Sequence, residues 1–232
     1  MSLDRSDQSR RAGELPESVP PSGRAFQLIF WKVVETWQQE ADRLVNWDDC
    51  LQLLADDPDD WTGLTRRLQL INAYQWREED KSRDPDADDT VLANVKRSID
   101  ASNQRRVAAI EAFDRLLHTN LSAAGLLTDD AELQSESPGS IVDRLTVLAL
   151  RIHYLKQRLL TARQQPGSPV ANQVEDPELT EYHHRLRSVT EQMVDLTECL
   201  DRYLAAIAAG TARFKVYGHH KLYRQPQAAD DQ

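Results

Sequence analysis

Residues 61–83, WTGLTRRLQLINAYQWREEDKSR, decide how this chain folds. Trp61, Leu64, Leu68 and Ile71 recur every three or four residues, the spacing that lines up side chains on one face of an α-helix. The same face then continues as Gln75, Glu78, Glu79 and Ser82. The next periodic stretch repeats the pattern: Val91, Val95 and Ile99 lead into Ser102, Asn103 and Arg106, then return to Ile110, Phe113 and Leu117. Taking a polar group out of water without a hydrogen bond costs roughly 2–7 kcal/mol, and a buried charge must be paired. The interruption therefore predicts two helices docked through a paired polar network, placed where an ordinary bundle is apolar.

Outward from this stretch the periodicity stays helical. A first helix is expected from Arg24 to Val45, with Phe26, Ile29, Phe30, Val33, Trp37, Ala41 and Leu44 on one face. Asp48 and Asp49 suit the cap of a short helix through Leu54, and Asp59 or Asp60 the cap of the helix Trp61–Arg83. The polar turn at residues 84–89 introduces a helix from Thr90 to Thr119. Ser137-Pro138 reads as an N-cap followed by proline at the first helical position, opening a helix to Ala162. Leu145, Val147, Leu148, Ala149, Leu150 and Ile152 make that helix apolar nearly all round, which places it at the centre. A last long helix is expected from Pro177 to Ala208, with Gly210 as its stop. Glycine is scarce and alternating strand patterns are missing. The expected fold is all-α, a single antiparallel bundle of five to six helices over residues 24–224, with a disordered polar leader (1–23) and tail (225–232).

The chain has 232 residues and a net charge of −10, which disfavours nucleic acid and anionic membrane as partners. No run approaches the roughly 20 apolar residues of a membrane span. The two cysteines, Cys50 and Cys199, form no C-x-x-C pair. They read as two core thiols, and such sparse usage fits a cytoplasmic protein.

Several constellations carry chemistry. Gln75, Glu78, Glu79 and Arg83 on one helix face Asp100, Asn103 and Arg106 on the next. Carboxylates converging from two antiparallel helices can hold Mg²⁺ or Mn²⁺, with Glu78, Glu79 and Asp100 as ligands. The order Glu79-Asp80-x-x-Arg83, then Asp100-x-x-Asn103, resembles in degraded form the paired acidic motifs of all-α nucleotide pyrophosphatases. Those enzymes carry further carboxylates where this chain has Arg83 and Asn103. The alternative is a buried network that fixes how the helices dock. Asp143, Arg144, Arg151 and His153 sit on the most apolar helix and are expected to meet that polar face, as ion pairs or as an anion grip. Glu111, Asp114 and His118 flank an apolar stripe, where pairing of Glu111 with Arg115 competes with a metal. Glu181 and His184 fall on the solvated side of their helix. The run from Arg213 to Arg224, with Lys215 and Lys221 as anion-binding candidates, is locally basic and aromatic and suits docking on the acidic bundle. No phosphate-binding glycine loop and no nucleophile elbow is present.

Four blocks in order resemble the bacterial DUF4254 family, domain of unknown function 4254. They are Gln75 to Arg83, Ile99 to Arg106, Ser135 to Pro138 with Asp143 to Leu145, and Phe214 to Tyr217 with Lys221 to Tyr223. The family more often has histidine at the place of Arg77 and a basic residue at Gly218. The resemblance implies a helical protein without an assigned activity, whose genes accompany envelope-sugar glycosyltransferases.

Two functions from different classes follow. One is a non-catalytic binding or accessory protein for a protein partner or small anion, gripped by Arg106, Arg144, Lys215 or Lys221, linked to envelope glycan synthesis and open to homo-oligomerisation. The other is a Mg²⁺- or Mn²⁺-dependent phosphohydrolase in which Glu78, Glu79 and Asp100 hold the metal and Arg106 and Arg144 the phosphate.

Overall fold

The structure, a computed structural model, describes residues 19–164 and 177–218. Six helices and one minimal sheet make up these residues: α1 Gly23–Gln39, α2 Trp47–Gln52, α3 Trp61–Lys81, α4 Asp89–Ala123, β1 Glu132–Leu133, α5 Pro138–Gln164, α6 Pro177–Ala208 and β2 Ala212–Arg213. The all-α bundle expected from periodicity is the observed architecture. Residues 1–18 of the expected leader and the whole expected tail (225–232) lie outside the described residues, while Val19, placed in that leader, is buried in the larger core.

The starts follow capping chemistry. Asp60 accepts from the backbone N–H of Thr62 (2.8 Å) and Gly63 (3.0 Å), and Asp88 from Val91 (2.8 Å), satisfying donors that a helix N-terminus leaves open. Asn46, rather than Asp48, caps α2, and Asp49 completes the capping box by accepting from the Asn46 N–H. Ser137 Oγ accepts from the Ser140 N–H at 3.2 Å at the start of α5. Helices α4 and α6 stop at Gly125 and Gly210, whose φ of 68° and 71° lie in the left-handed region. Helix α1 ends at Gln39, six residues before the expected Val45, and the chain turns through Glu40 to reach α2.

Helices α3 and α4 form one antiparallel pair. Trp61 meets Phe113 at 5.2 Å between ring centroids, and Gln75 meets Asn103 further along. Helices α5 and α6 form the second pair, closed at one end where the Tyr203 hydroxyl donates to the Glu136 carbonyl (3.1 Å). Helix α1 crosses both pairs. The Gly23 N–H donates to Asp201 (2.7 Å), Gln27 to Thr197 (2.8 Å), and Phe26 tilts against Phe113. Leu145, Ala149 and Ile152 of α5 lie in the larger core, and Leu150 in a second, smaller core with Trp37, Cys50 and Tyr74. Arg77 ties that smaller core to the α1–α2 turn. It donates to the carbonyls of Leu44 and Val45, and lies over the rings of Trp37 and Tyr74.

Two expectations shift. Strand patterning was absent, yet β1 and β2 pair in parallel for two residues each. A pair that short has no alternation to detect. It fastens the chain leaving α6 to the α4–α5 connection and carries Phe214 into the core, so the described part of the basic aromatic run docks on the bundle. Val91, expected on the α4 stripe, is exposed, as are all of residues 89–94, and burial of α4 begins at Val95.

Asp114 is buried beside the start of α5, where Gly139 donates to it at 2.8 Å. Burial raises its pKa above the ordinary carboxylate range, against the lowering effect of the Ser137 and Gly139 hydrogen bonds. A carboxylate raised on folding binds protons more readily in the native than in the unfolded state. Its contribution to stability is therefore lost as pH climbs from the ordinary aspartate value through the raised one. Asp114→Asn keeps an acceptor oxygen for Gly139 and removes that titration. Denaturation of both proteins from pH 3.5 to 8 is expected to show the variant gaining on the wild type as pH rises through this window; parallel profiles would remove Asp114 from the titration.

Candidate functional site

The polar network exists, and it joins three helices, with Asp143 of α5 meeting the polar face as expected. Arg106 of α4 donates from Nε (2.7 Å) and Nη2 to the two carboxylate oxygens of Asp143 on α5. Asn72 of α3 donates to Asp143 Oδ1 (2.9 Å) and Thr146 Oγ1 (2.7 Å). The Thr146 hydroxyl turns back to the Asp143 carbonyl at 2.6 Å. Asp143 is only 4% exposed, and its hydrogen bond raises the pKa of Arg106 further above an already high value. Gln75 makes a separate α3–α4 contact by donating to Asn103 Oδ1 at 3.0 Å. Thr65 and Gln69, both 0% exposed, continue the same α3 face, and neither side chain has a hydrogen-bond partner in the structure.

The carboxylates expected to gather around a metal are kept apart. Glu78 is buried but takes Lys81 at 2.7 Å on its own helix, with Arg77 at 3.8 Å. Glu79 faces Arg83 at 3.8 Å, and Asp100, with a side chain 54% exposed, pairs with Lys96. Arg83 also reaches Asp80 (3.1 Å), and Ser82 is exposed. Among the described residues no group of three or more His, Cys, Asp or Glu side chains is placed to hold a metal ion. Glu78 and Glu79 lie near the end of α3 and Asp100 on the outer face of α4, so local i,i+3 and i,i+4 partners reach them first. Glu111 likewise pairs with Arg115 at 3.2 Å. Glu181 pairs with Arg185 at 2.6 Å on the solvated face.

Arg144 departs from expectation. One residue past Asp143 it turns about 100° away around the helix, misses the polar network and pairs with Glu136 at 3.0 Å. It lines a cavity of about 430 Å³ between α4, α5 and α6, together with Arg106 and Arg151. Arg151 is exposed and makes no hydrogen bond or ion pair among the described residues. Asp195 is the one acidic lining residue, and Cys199 stands on the wall. Cys199 is thus an exposed thiol, where two core thiols were expected; Cys50 is buried, and burial pushes its pKa up to about 11. Arg151 also lines a second cavity of about 450 Å³ with Trp76, Tyr154 and Arg158. Lys215 lines a separate cavity of about 460 Å³ beside Arg115, His118 and Arg213, and Lys221 lies outside the described residues.

The chain matches DUF4254, described as a protein of unknown function, over residues 63–216. It belongs to the DUF4254 family. The matched span of this DUF4254 protein begins inside α3 and runs through β2, so it contains every member of the polar network and of the arginine-lined cavity, while α1 and α2 precede it. No curated protein and no solved structure matches the chain. No helix among the described residues is long and apolar enough to cross a membrane.

Sequence reasoning missed two participants in the network, Asn72 and Thr146, and the buried polar side chains Thr65 and Gln69 that share the face of Asn72. The signal of Thr65, Gln69 and Asn72 was present as a polar stripe at i, i+4 and i+7 that runs on to Gln75. It also missed Arg158, which follows Arg144 and Arg151 at seven-residue intervals. Asp143→Ala removes the acceptor of both Arg106 and Asn72 and strands a half-buried guanidinium. The expected loss is about 3–5 kcal/mol in urea denaturation. Replacing Arg106 and Asp143 together with Met and Leu is expected to recover most of it, and additive losses in that double variant would show the two are not coupled.

Proposed function

We propose that this DUF4254 chain is a non-catalytic, cytoplasmic binding or accessory protein whose ligand is a small phosphate-bearing anion, held in the cleft between α4, α5 and α6. One observation carries this reading: Arg151 stands exposed, with no hydrogen bond or ion pair among the described residues, in a concave site that two further arginines line. In a chain of net charge −10, three arginines line this cavity against one acidic side chain, Asp195. Arg106 supplies a rigidly held guanidinium, because Asp143 balances and holds it from the buried side and does not itself line the cavity. Arg144 is tethered to Glu136 on an exposed face, an ion pair weak enough for an anion to displace. Guanidinium groups match the planar oxygen pairs of phosphate better than ammonium groups do.

The separated carboxylates support binding over hydrolysis, since Glu78, Glu79 and Asp100 each have their own basic partner. Two cysteines with no disulfide between them accord with a reducing compartment. The proposed link to envelope glycan synthesis makes phosphorylated sugars the first ligands to try.

Thermal denaturation with glucose 1-phosphate and with inorganic pyrophosphate tests the proposal. A ligand at a hundredfold its Kd stabilises by about 2.7 kcal/mol. A rise in Tm is expected that shrinks with added salt and is lost in Arg151→Gln. No shift with either compound would count against it, as would a shift that survives the substitution.

A further inference from the structure

The cavity lined by Arg151, Tyr154 and Trp76 adjoins the anion site, and its chemistry is different. Arg151 belongs to the walls of both cavities, so the two meet at that side chain. Trp76 of α3 and Tyr154 of α5 stack here with centroids 5.1 Å apart and planes 9° from parallel. Both rings are half-buried, and Leu155 and Val189 complete an apolar surface between α5 and α6. Arg158 closes the far side, exposed and, like Arg151, without a hydrogen bond or ion pair among the described residues. Arg144, Arg151 and Arg158 recur every seven residues, about 10.5 Å per step along α5 at 1.5 Å per residue. The result is a row of guanidinium groups with an aromatic platform beside its second half. No acidic side chain lines this second cavity.

We propose that the ligand of this cleft is a nucleoside diphosphate or a conjugate of one. The diphosphate lies against Arg144 and Arg151, and the base lies in the cleft lined by Trp76, Tyr154 and Arg158. This rests on the anion-binding reading above and adds to it the chemistry of the other end of the ligand. A bare phosphate or a phosphorylated sugar would use the arginine-lined half and leave the aromatic half unused. A flat, polarisable base is the group that aromatic side chains and an arginine plane recognise together. Each half, at about 430 and 450 Å³, has the size of a small-molecule site.

Titration of the full chain with uridine 5′-diphosphate and with inorganic pyrophosphate, by calorimetry and tryptophan emission, tests the assignment. The nucleotide is expected to bind at least tenfold more tightly than pyrophosphate and to change the emission. Arg151→Gln is expected to weaken both probes about tenfold. Trp76→Leu is expected to weaken the nucleotide alone. Because Trp76 also packs against the smaller core, Arg158→Gln on the exposed face serves as a second variant with the same selective loss. Equal affinities for the two probes would overturn the base assignment and leave the anion reading standing. Binding of neither would overturn both. Tighter binding of dodecyl phosphate than of the nucleotide would replace the base with an apolar chain. Nucleotide binding undiminished in Arg151→Gln and Arg158→Gln would place it elsewhere on the protein and sink the assignment.

Discussion

The bidentate contact between Arg106 and Asp143, with Asn72 donating to the same carboxylate, fixes the arrangement of everything around it. It ties α3, α4 and α5 at one point, and each of its members must be present for the others to be satisfied. A sliding register between apolar helix faces costs little, because one leucine can replace another in a contact. Shifting a buried carboxylate by one turn removes two donors at once, and the loss is several kcal/mol. The network therefore specifies how the helices dock more than it adds to their stability. It also sets the functional geometry. By engaging Arg106 from within, Asp143 leaves that guanidinium rigid at the wall of the arginine-lined cavity.

The network gives α3 an unusual cross-section. Leu64, Leu68 and Ile71 belong to the larger core, and Leu70, Ala73 and Tyr74 to the smaller one. Thr65, Gln69 and Asn72 occupy a further buried strip. Such a helix is buried on most of its circumference, and its polar residues report interior partners rather than solvent. This explains which parts of the site were legible. Periodicity revealed the apolar stripe and its interruption at Gln75, and Arg106 and Asp143 stood out as charges in greasy surroundings. A search along one stripe passed over Gln69 and Asn72, which lie a third of a turn away. It also overcounted at the ends. Glu79 and Asp100 share the phase of the cluster, but side chains near a helix terminus or on an outer face find neighbours on their own helix before they reach another.

The cleft was less legible, for a different reason. Arg144, Arg151 and Arg158 have the same residue type and the same helical phase, and nothing local separates them. Glu136 satisfies the first, while the other two have no hydrogen bond or ion pair among the described residues. Whether an arginine is committed is a property of the assembled molecule. The same holds for Trp76 and Tyr154, which lie 78 positions apart in sequence and whose rings α3 and α5 bring into parallel contact. A pocket wall drawn from three helices has no signature in any one of them.

The parallel pairing of β1 with β2 has a kinetic consequence. Arg213 reaches the carbonyl of Ala131 across a sequence separation of 82, and Phe214 enters the core just beyond. Closing so long a loop brings little reward until both helical hairpins have come together. The segment after Gly210 is therefore expected to join late in folding and to leave early in unfolding, detaching while the helices are still assembled. A latch of this kind gives the molecule a partly opened form that is cheaper to reach than the denatured chain, in which the end of α4 and the floor beneath Phe214 are uncovered.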